Sequence, residues 1–341
     1  MNRNISIDVL RILSALAIVF IHVTPQYDGS NTYVLIMQPI IRAGLPIFFI
    51  ISGFFILNSK IESIQTFYKK KLISIIIPFL LFSFMHYAYF HQWDENAYTK
   101  DWVANYFKAV IYGSPVNFGR DYFMTALYWF VYTIIGLYLL SPLIQKCMEF
   151  INNDNAARYL YILILTSGSY PVLGELLKQF SFSENILNLP DNFKWLAYFV
   201  SGAILGRVNY IKTSFLIPAI IFFYFIVMLT CYGAKYNSWY SYEWIDGNIA
   251  MMALSVSMFA LFLKIKINSH SKIITYISSL TYGVYLSHIF ILSIVDSYTK
   301  DLGQSTPSYV FITVSFVFLT SLILSSVVNF LIAKRLVRLL S

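Results

Sequence analysis

The sequence predicts an all-α integral membrane protein, a bundle of about ten transmembrane helices with both termini in the cytoplasm. Three observations predict it. Of the 341 residues, 58% are hydrophobic and only 12% are charged, about half the charged share of a soluble domain. Apolar residues gather in ten long segments, each close to the roughly 20 residues that cross a bilayer. Basic residues collect at the ends of those segments rather than in a patch or arm, which marks them as orientation signals.

The segments run over 5–23, 37–57, 72–90, 125–145, 159–177, 194–208, 214–232, 248–266, 272–295 and 309–333. The first contains Arg11 and has no small-residue cleavage site, so it reads as a retained helix and not a signal peptide. The fifth holds Gly168, Pro171 and Gly174, and the sixth is short. The longest connection, 91–124, carries Trp93, Trp102, Arg120 and Asp121, and a loop of that length calls for short helices or a function of its own. With the N-terminus inside and every segment crossing, fifteen Lys and Arg fall on the inner side and eight on the outer, leaving Arg11 within the first helix. One crossing more or fewer in the middle scrambles that asymmetry. Residues 1–341 read as a single polytopic membrane domain with no soluble domain appended.

The net charge of +8 belongs to these flanks, so no nucleic-acid partner is expected. Cys147 and Cys231 lack CxxC or metal-ligand spacing and read as small packing residues. No HExxH, no His/Asp cluster and no phosphate-cradling glycine loop occurs, so no metal is expected.

Ionisable residues inside a span are costly and are functional candidates by default. The first segment has three, Asp8, Arg11 and His22. Asp8 and Arg11 share a face and are spaced to pair. Arg11 and His22 are eleven residues apart, about three turns, so they point the same way at depths about 16 Å apart. Imidazole takes a proton from a hydroxyl near neutral pH, which suits general-base work. The plainer alternative has Arg11 snorkelling to the inner headgroups and His22 capping the helix.

The stretch DVLRILSALAIVFIH resembles the opening motif of the membrane acyltransferase-3 family. Four further stretches match in order: GLPIFFIISGFFI (44–56), YKKKLISIIIPFLLFS (68–83), YWFVYTIIGLYLLSPLI (128–144) and SSLTYGVYLSHIFIL (278–292). The resemblance implies ten crossings and transfer of an acyl group. The usual donor is acetyl from cytoplasmic acetyl-CoA, a substrate and not a permanently bound cofactor. The acceptor is a hydroxyl of a surface glycan or its lipid-linked precursor, and the location is the bacterial cytoplasmic membrane. It makes His22 and Arg11 the essential pair, with Asp8 in support. Lys69, Lys70 and Lys71 fall on the family's inner basic cluster and are donor-binding candidates, although a juxtamembrane basic run also serves anionic lipid. Arg42 stands where relatives often carry arginine, and His288 matches a recurrent histidine. The family often reads His-Leu-Trp-Phe where this chain has Leu127-Tyr128-Trp129-Phe130, which makes Tyr128 a candidate substitute for the histidine.

His86, His91 and His270 read as interface or loop residues, and Trp93 and Trp102 as an aromatic platform for sugar. The alternative function is a ten-helix transporter or flippase exporting a glycan or small solute. Such proteins show broken helices at matched places in two halves, and no such pattern is visible in the sequence.

Overall fold

The computed structural model describes residues 4–24, 32–112, 124–179, 193–208, 211–236, 242–267, 271–299 and 306–330. Of the positions named above, Arg120, Asp121, His270 and the end of the last segment beyond 330 lie outside the described residues, as do some of the flanking bases counted there. Twelve α-helices are present among the described residues: α1 (Ile5–Val23), α2 (Thr32–Leu57), α3 (Ile64–Phe90), α4 (Lys100–Tyr112), α5 (Met124–Cys147), α6 (Ala156–Gln179), α7 (Phe193–Leu205), α8 (Thr213–Tyr236), α9 (Tyr242–Gly247), α10 (Ile249–Lys264), α11 (Lys272–Thr299) and α12 (Pro307–Val328). No strand occurs among the described residues.

Each of the ten expected segments coincides with one helix. The two additional helices are α4, inside the long connection, and the short α9. Among the described residues seven helices, α1, α2, α3, α5, α8, α11 and α12, are long and apolar enough to cross a membrane. Of the other three, α7 and α10 are apolar but only 13 and 16 residues long. The chain is an all-α multi-pass membrane protein.

The chain divides into two compact units, Met1–Lys60 with Leu140–Ser278, and Ile61–Leu139 with Ser279–Ser341. In the first unit α2 packs against both α1 and α7. Water-driven burial does not operate between helices in lipid, so close approach of backbones has to supply the attraction. Gly53 and Gly202 provide it between α2 and α7. A Cβ on Gly53 would lie 1.7 Å from the Phe199 carbonyl oxygen, and one on Gly202 would lie 2.0 Å from that of Ile50. Between α1 and α2 the same role falls to Gly44, whose Cβ would meet Ala17 Cβ at 2.7 Å and the Ser14 oxygen at 2.9 Å.

The relative directions of three helices follow from paired contacts. Gly44 meets Ser14 and Ala17, while Phe55 lies under Arg11, so α2 runs antiparallel to α1. Phe54 packs on Phe259 and Arg42 reaches Asp246, so α10 runs parallel to α2. The Ser6 hydroxyl donates to the Ile265 carbonyl, which matches the start of α1 to the end of α10. Asn4 caps α1 by accepting from the Ser6 N–H at 3.0 Å, and Asn248 caps α10 by accepting from the Met251 N–H at 2.8 Å.

In the second unit α4 folds against α3. The Tyr87 hydroxyl donates to the Trp102 carbonyl at 3.0 Å, and the Trp102 indole N–H donates to the His91 carbonyl at 2.9 Å. Trp102 is thereby 3% exposed, which removes it as a sugar platform; Trp93 alone stays open. Burial pushes the Tyr106 phenol of α4 up to about 12 against the opposing hydrogen bond to Ser83, so the phenol is protonated at any physiological pH. Helices α11 and α12 meet at Gly283, where a Cβ would lie 2.0 Å from Ser325 Oγ.

The glycine contacts predict opposite outcomes for two matched substitutions. Gly53→Ala should overpack the α2–α7 crossing and cost about 1–3 kcal/mol, seen as a lower thermal midpoint in detergent. Gly136→Ala has nothing within 4 Å to strike. It should leave the midpoint unchanged or raise it, because alanine favours helix over glycine by about 1 kcal/mol.

Candidate functional site

Asp8, Arg11, His22 and Arg42 belong to the first unit, and Lys69, Lys70, Lys71, Tyr128 and His288 to the second. Helix α1 is continuous from Ile5 to Val23, so the spacing argument holds without a break. Arg11, Ser14, Ile18 and His22 share one stripe at steps of three or four residues. Ser14 and Ile18 are buried, while Leu13, about 160° round the helix from Arg11, is 47% exposed. The stripe therefore faces protein and the opposite side faces outward.

Arg11 and His22 are each half-buried. The Arg11 guanidinium stands 5.5 Å from the Phe55 ring centroid, within range of a cation–π attraction. Asp8 is 5% exposed, and its carboxylate accepts from the Ser278 hydroxyl at 2.7 Å. His22 occupies the last turn of α1. The turn ends at Thr24, whose N–H and hydroxyl both donate to the Phe20 carbonyl. Between the two ionisable groups Ser14 Oγ is buried, with no hydrogen-bond partner among the described residues. Its signal in the sequence is a hydroxyl three residues after Arg11 on the same stripe.

Arg42 is 4% exposed on α2. Its Nε donates to Gln38 Oε1 at 2.8 Å and its Nη1 to Asp246 Oδ1 at 3.1 Å. Gly44 marks the face of α2 that meets α1, and Arg42, two residues earlier, lies about 160° away from it. The guanidinium thus works on the far side of α2 from the Arg11–His22 stripe. The antiparallel register still carries Gln38 to about the depth of His22.

In the second unit Tyr128 is 2% exposed and sits at a break in α5, with φ −112° and ψ 20°. The break frees local carbonyls, and the Tyr285 hydroxyl donates to that of Leu127 at 3.4 Å. The Tyr128 hydroxyl donates to the Leu286 carbonyl at 3.3 Å and meets His86 Nδ1 at 3.1 Å. A phenol has one proton. With that proton on Leu286, His86 Nδ1 carries the N–H that bonds the phenol oxygen, and its Nε2 holds the lone pair. His288 follows the same logic, since its Nδ1 lies 2.6 Å from the Tyr285 carbonyl, which only accepts. His86 is fully buried within α3, so it is packed against protein and not exposed in a loop. Flanking aromatics disguised it as part of an interfacial belt. Lys69 and Lys70 are exposed and Lys71 is half-buried, all in the N-terminal part of α3.

A family model described as an acyltransferase domain, that of the acyltransferase-3 family, matches residues 4–326. No curated protein and no solved structure matches the chain.

The ion pair of the buried Arg42 on α2 with Asp246 on α9 sets a stability prediction. Asp246→Ala should cost about 2 kcal/mol or more, because it withdraws a carboxylate from a buried guanidinium. The double variant Arg42→Met, Asp246→Leu should recover most of that loss. Thermal midpoints in nanodiscs measure both.

Proposed function

The chain belongs to the acyltransferase-3 family, and from that premise we propose that it moves an acetyl group from cytoplasmic acetyl-CoA to a hydroxyl of a surface glycan or its lipid-linked precursor. The observation that carries the reading is the single buried-side stripe of α1 that holds Arg11, Ser14 and His22 at three depths. Such a stripe offers polar groups along a path through an otherwise apolar helix. An acyl group passed between the two sides of a membrane needs a path of that kind.

In this reading all ten apolar helices cross, both termini are cytoplasmic, and the membrane is a bacterial cytoplasmic one. The short helices α7 and α10 cross a bilayer thinned or covered by their longer neighbours, a known accommodation of mismatch. The basic asymmetry of the flanks supports this orientation. Arg11 lies toward the inside and His22 toward the outside.

Acetyl-CoA enters from the cytoplasm, with Lys69, Lys70 and Lys71 attracting its phosphates. Arg11 binds the polar part of the donor near the inner mouth, and Asp8 steadies the inner end of α1. His22 takes the proton of the acceptor hydroxyl as the hydroxyl oxygen attacks the thioester carbonyl. The C–S bond then breaks, and the CoA thiolate leaves and regains a proton. In the covalent variant of the route His22 first accepts the acetyl group itself and then yields it to the hydroxyl. Tyr128 and Tyr285 serve as buried polar ties that hold α5 to α11 within the second unit, and His288 bonds the Tyr285 carbonyl within α11.

His22→Ala should abolish acetylation of the glycan, with protein level and membrane insertion unchanged. The readout is the mass of cell-surface glycans from cells with the intact chain, with the variant and without the gene. Normal acetylation by His22→Ala would overturn the assignment of His22. Radiolabelled acetyl trapped on purified protein, and lost in His22→Ala, would mark the covalent route.

A further inference from the structure

Successive membrane-crossing helices alternate in direction, and in the second unit α4 breaks that alternation. Helix α5 runs antiparallel to α3. The Tyr128 hydroxyl meets His86, the Tyr132 ring packs on Phe79 at 5.7 Å, and the Tyr68 hydroxyl donates to the Leu139 carbonyl. Helix α4 runs antiparallel to α3 as well. Trp102 lies beside Tyr87 and His91 at the end of α3, and the Tyr106 hydroxyl donates to the Leu80 carbonyl at 2.9 Å. The Val110 carbonyl accepts from the hydroxyl of Tyr132, whose ring is the one on Phe79. Two consecutive helices therefore point the same way, and both start at the end of α3. The chain has to regain that end between Tyr112 and Met124, so α4 adds no crossing.

The same end of α3 marks a membrane surface. The stretch from Lys71, last of the basic run, to His91 is about 30 Å of helix, the thickness of a hydrocarbon core. Trp93 and Tyr98, 88% and 72% exposed, stand in the turn that leads into α4, as aromatics do at a membrane surface. From there α4 runs back alongside α3 to the level of Phe79, about 16 Å short of Phe90.

At 100° per residue α4 has three sectors. Trp102, Tyr106 and Ala109 fall within about 60° of one another and are buried. Val103, Phe107 and Ile111 follow over about 80°; they are 37%, 48% and 67% exposed. Asp101, Asn105 and Lys108 share the remaining side, within about 60°, and are exposed too. The exposed apolar row continues the outward surface of α3, where Phe84 and Tyr89 are each 40% exposed at the same level. A row of that chemistry beside a spanning helix fits hydrocarbon chains. The polar row does not, because an ionisable side chain at membrane depth is kept in water or against protein. Lys108 stands about 12 Å along α4 from Lys100. Its Cα–Cβ bond tilts toward the helix N-terminus, which is the surface end. Asn105 and Asp101 lie one and two turns nearer that surface, so water reaches the ammonium along a polar edge.

We propose that α4 is a re-entrant helix that enters the membrane from the face where α3 ends and stops near mid-depth, with Val103, Phe107 and Ile111 against lipid chains and Asp101, Asn105 and Lys108 lining a water-filled recess. Aqueous solutes thereby reach Lys108 below the headgroups, from the face opposite Lys69–Lys71. The arrangement does not depend on which group the chain transfers, and it stands apart from the transferase reading.

Spin labelling of the full chain in nanodiscs tests it. Cys147 and Cys231 are replaced by serine, and single cysteines at 103, 105, 107, 108 and 111 carry the nitroxide. Power saturation compares apolar oxygen with a water-soluble nickel chelate. Labels at 103, 107 and 111 should favour oxygen, and their depth should increase by about 6 Å per step, about 12 Å in all. Labels at 105 and 108 should favour the nickel chelate, although 108 lies at the depth of 107. All five positions are exposed, so the substitutions spare the packing. Circular dichroism identifies any variant that misfolds, and each sector is read at two positions or more. Equal depth at 103, 107 and 111 would make α4 a surface helix and overturn the proposal. Nickel preference at those three would place α4 outside the membrane, and poor access of both agents there would mean a protein partner. Oxygen preference at 105 and 108 would remove the recess. None of these readings involves acyl transfer, whereas CoA release lost in His22→Ala reports on the transferase reading alone.

Discussion

A guanidinium and an imidazole on a membrane helix have to be kept away from hydrocarbon, and in this chain the packing of α2 on α1 does so. The approach is close because Gly44 lets the α2 backbone lie against Ser14 and Ala17. That contact turns the Arg11–His22 side of α1 toward protein and leaves Leu13 on the outward side. Phe55, eleven residues after Gly44 and therefore on the same face of α2, then meets the Arg11 guanidinium. Helix α2 is held in turn from its other side, where Gly53 and Gly202 bring it against α7. The placement of the ionisable groups thus depends on three glycines whose job is distance.

The two faces of α2 have different chemistry. One presents glycine and aromatic surface to α1. The other carries Gln38 and Arg42 into a hydrogen-bonded group with Asp246. Sequence position alone leaves Arg42 open to orienting an acceptor or donor carbonyl or to anchoring the helix at the interface. On α2 Arg42 points about 160° away from the Gly44 face that meets α1, while the register keeps Gln38 near the depth of His22. A buried cation neutralised by a carboxylate is better suited to holding neighbouring groups still than to binding an anion.

Much of the fold was legible because lipid imposes length and polarity limits that single segments reveal. All ten expected segments are helices, and the short α4 arises in the one connection long enough to need it. The Arg11–His22 alignment was legible for the same reason, since an unbroken helix fixes direction by residue count. Partners brought from far along the chain were not legible. Asp8 invited a pairing with Arg11 three residues on, but its carboxylate accepts from Ser278, at the end of the second turn of another helix. His86 hides among Tyr, Phe and Met of α3, and only the break in α5 at Tyr128 shows what it bonds. Trp102 looked like an exposed loop aromatic, and α4 buries it against Tyr87.

The central claim is that one protein-facing stripe of α1 reaches aqueous space from both sides, at Arg11 inside and at His22 outside. It is tested most directly in a background with Cys147 and Cys231 replaced by serine. Arg11→Cys, Leu13→Cys and His22→Cys are introduced singly, and an impermeant thiol reagent is applied to each face of sealed vesicles. The account predicts that the cysteine at 22 reacts only from outside, the one at 11 only from inside, and the one at 13 from neither. Reaction of 11 and 22 from the same side, or protection of both as complete as at 13, would contradict it.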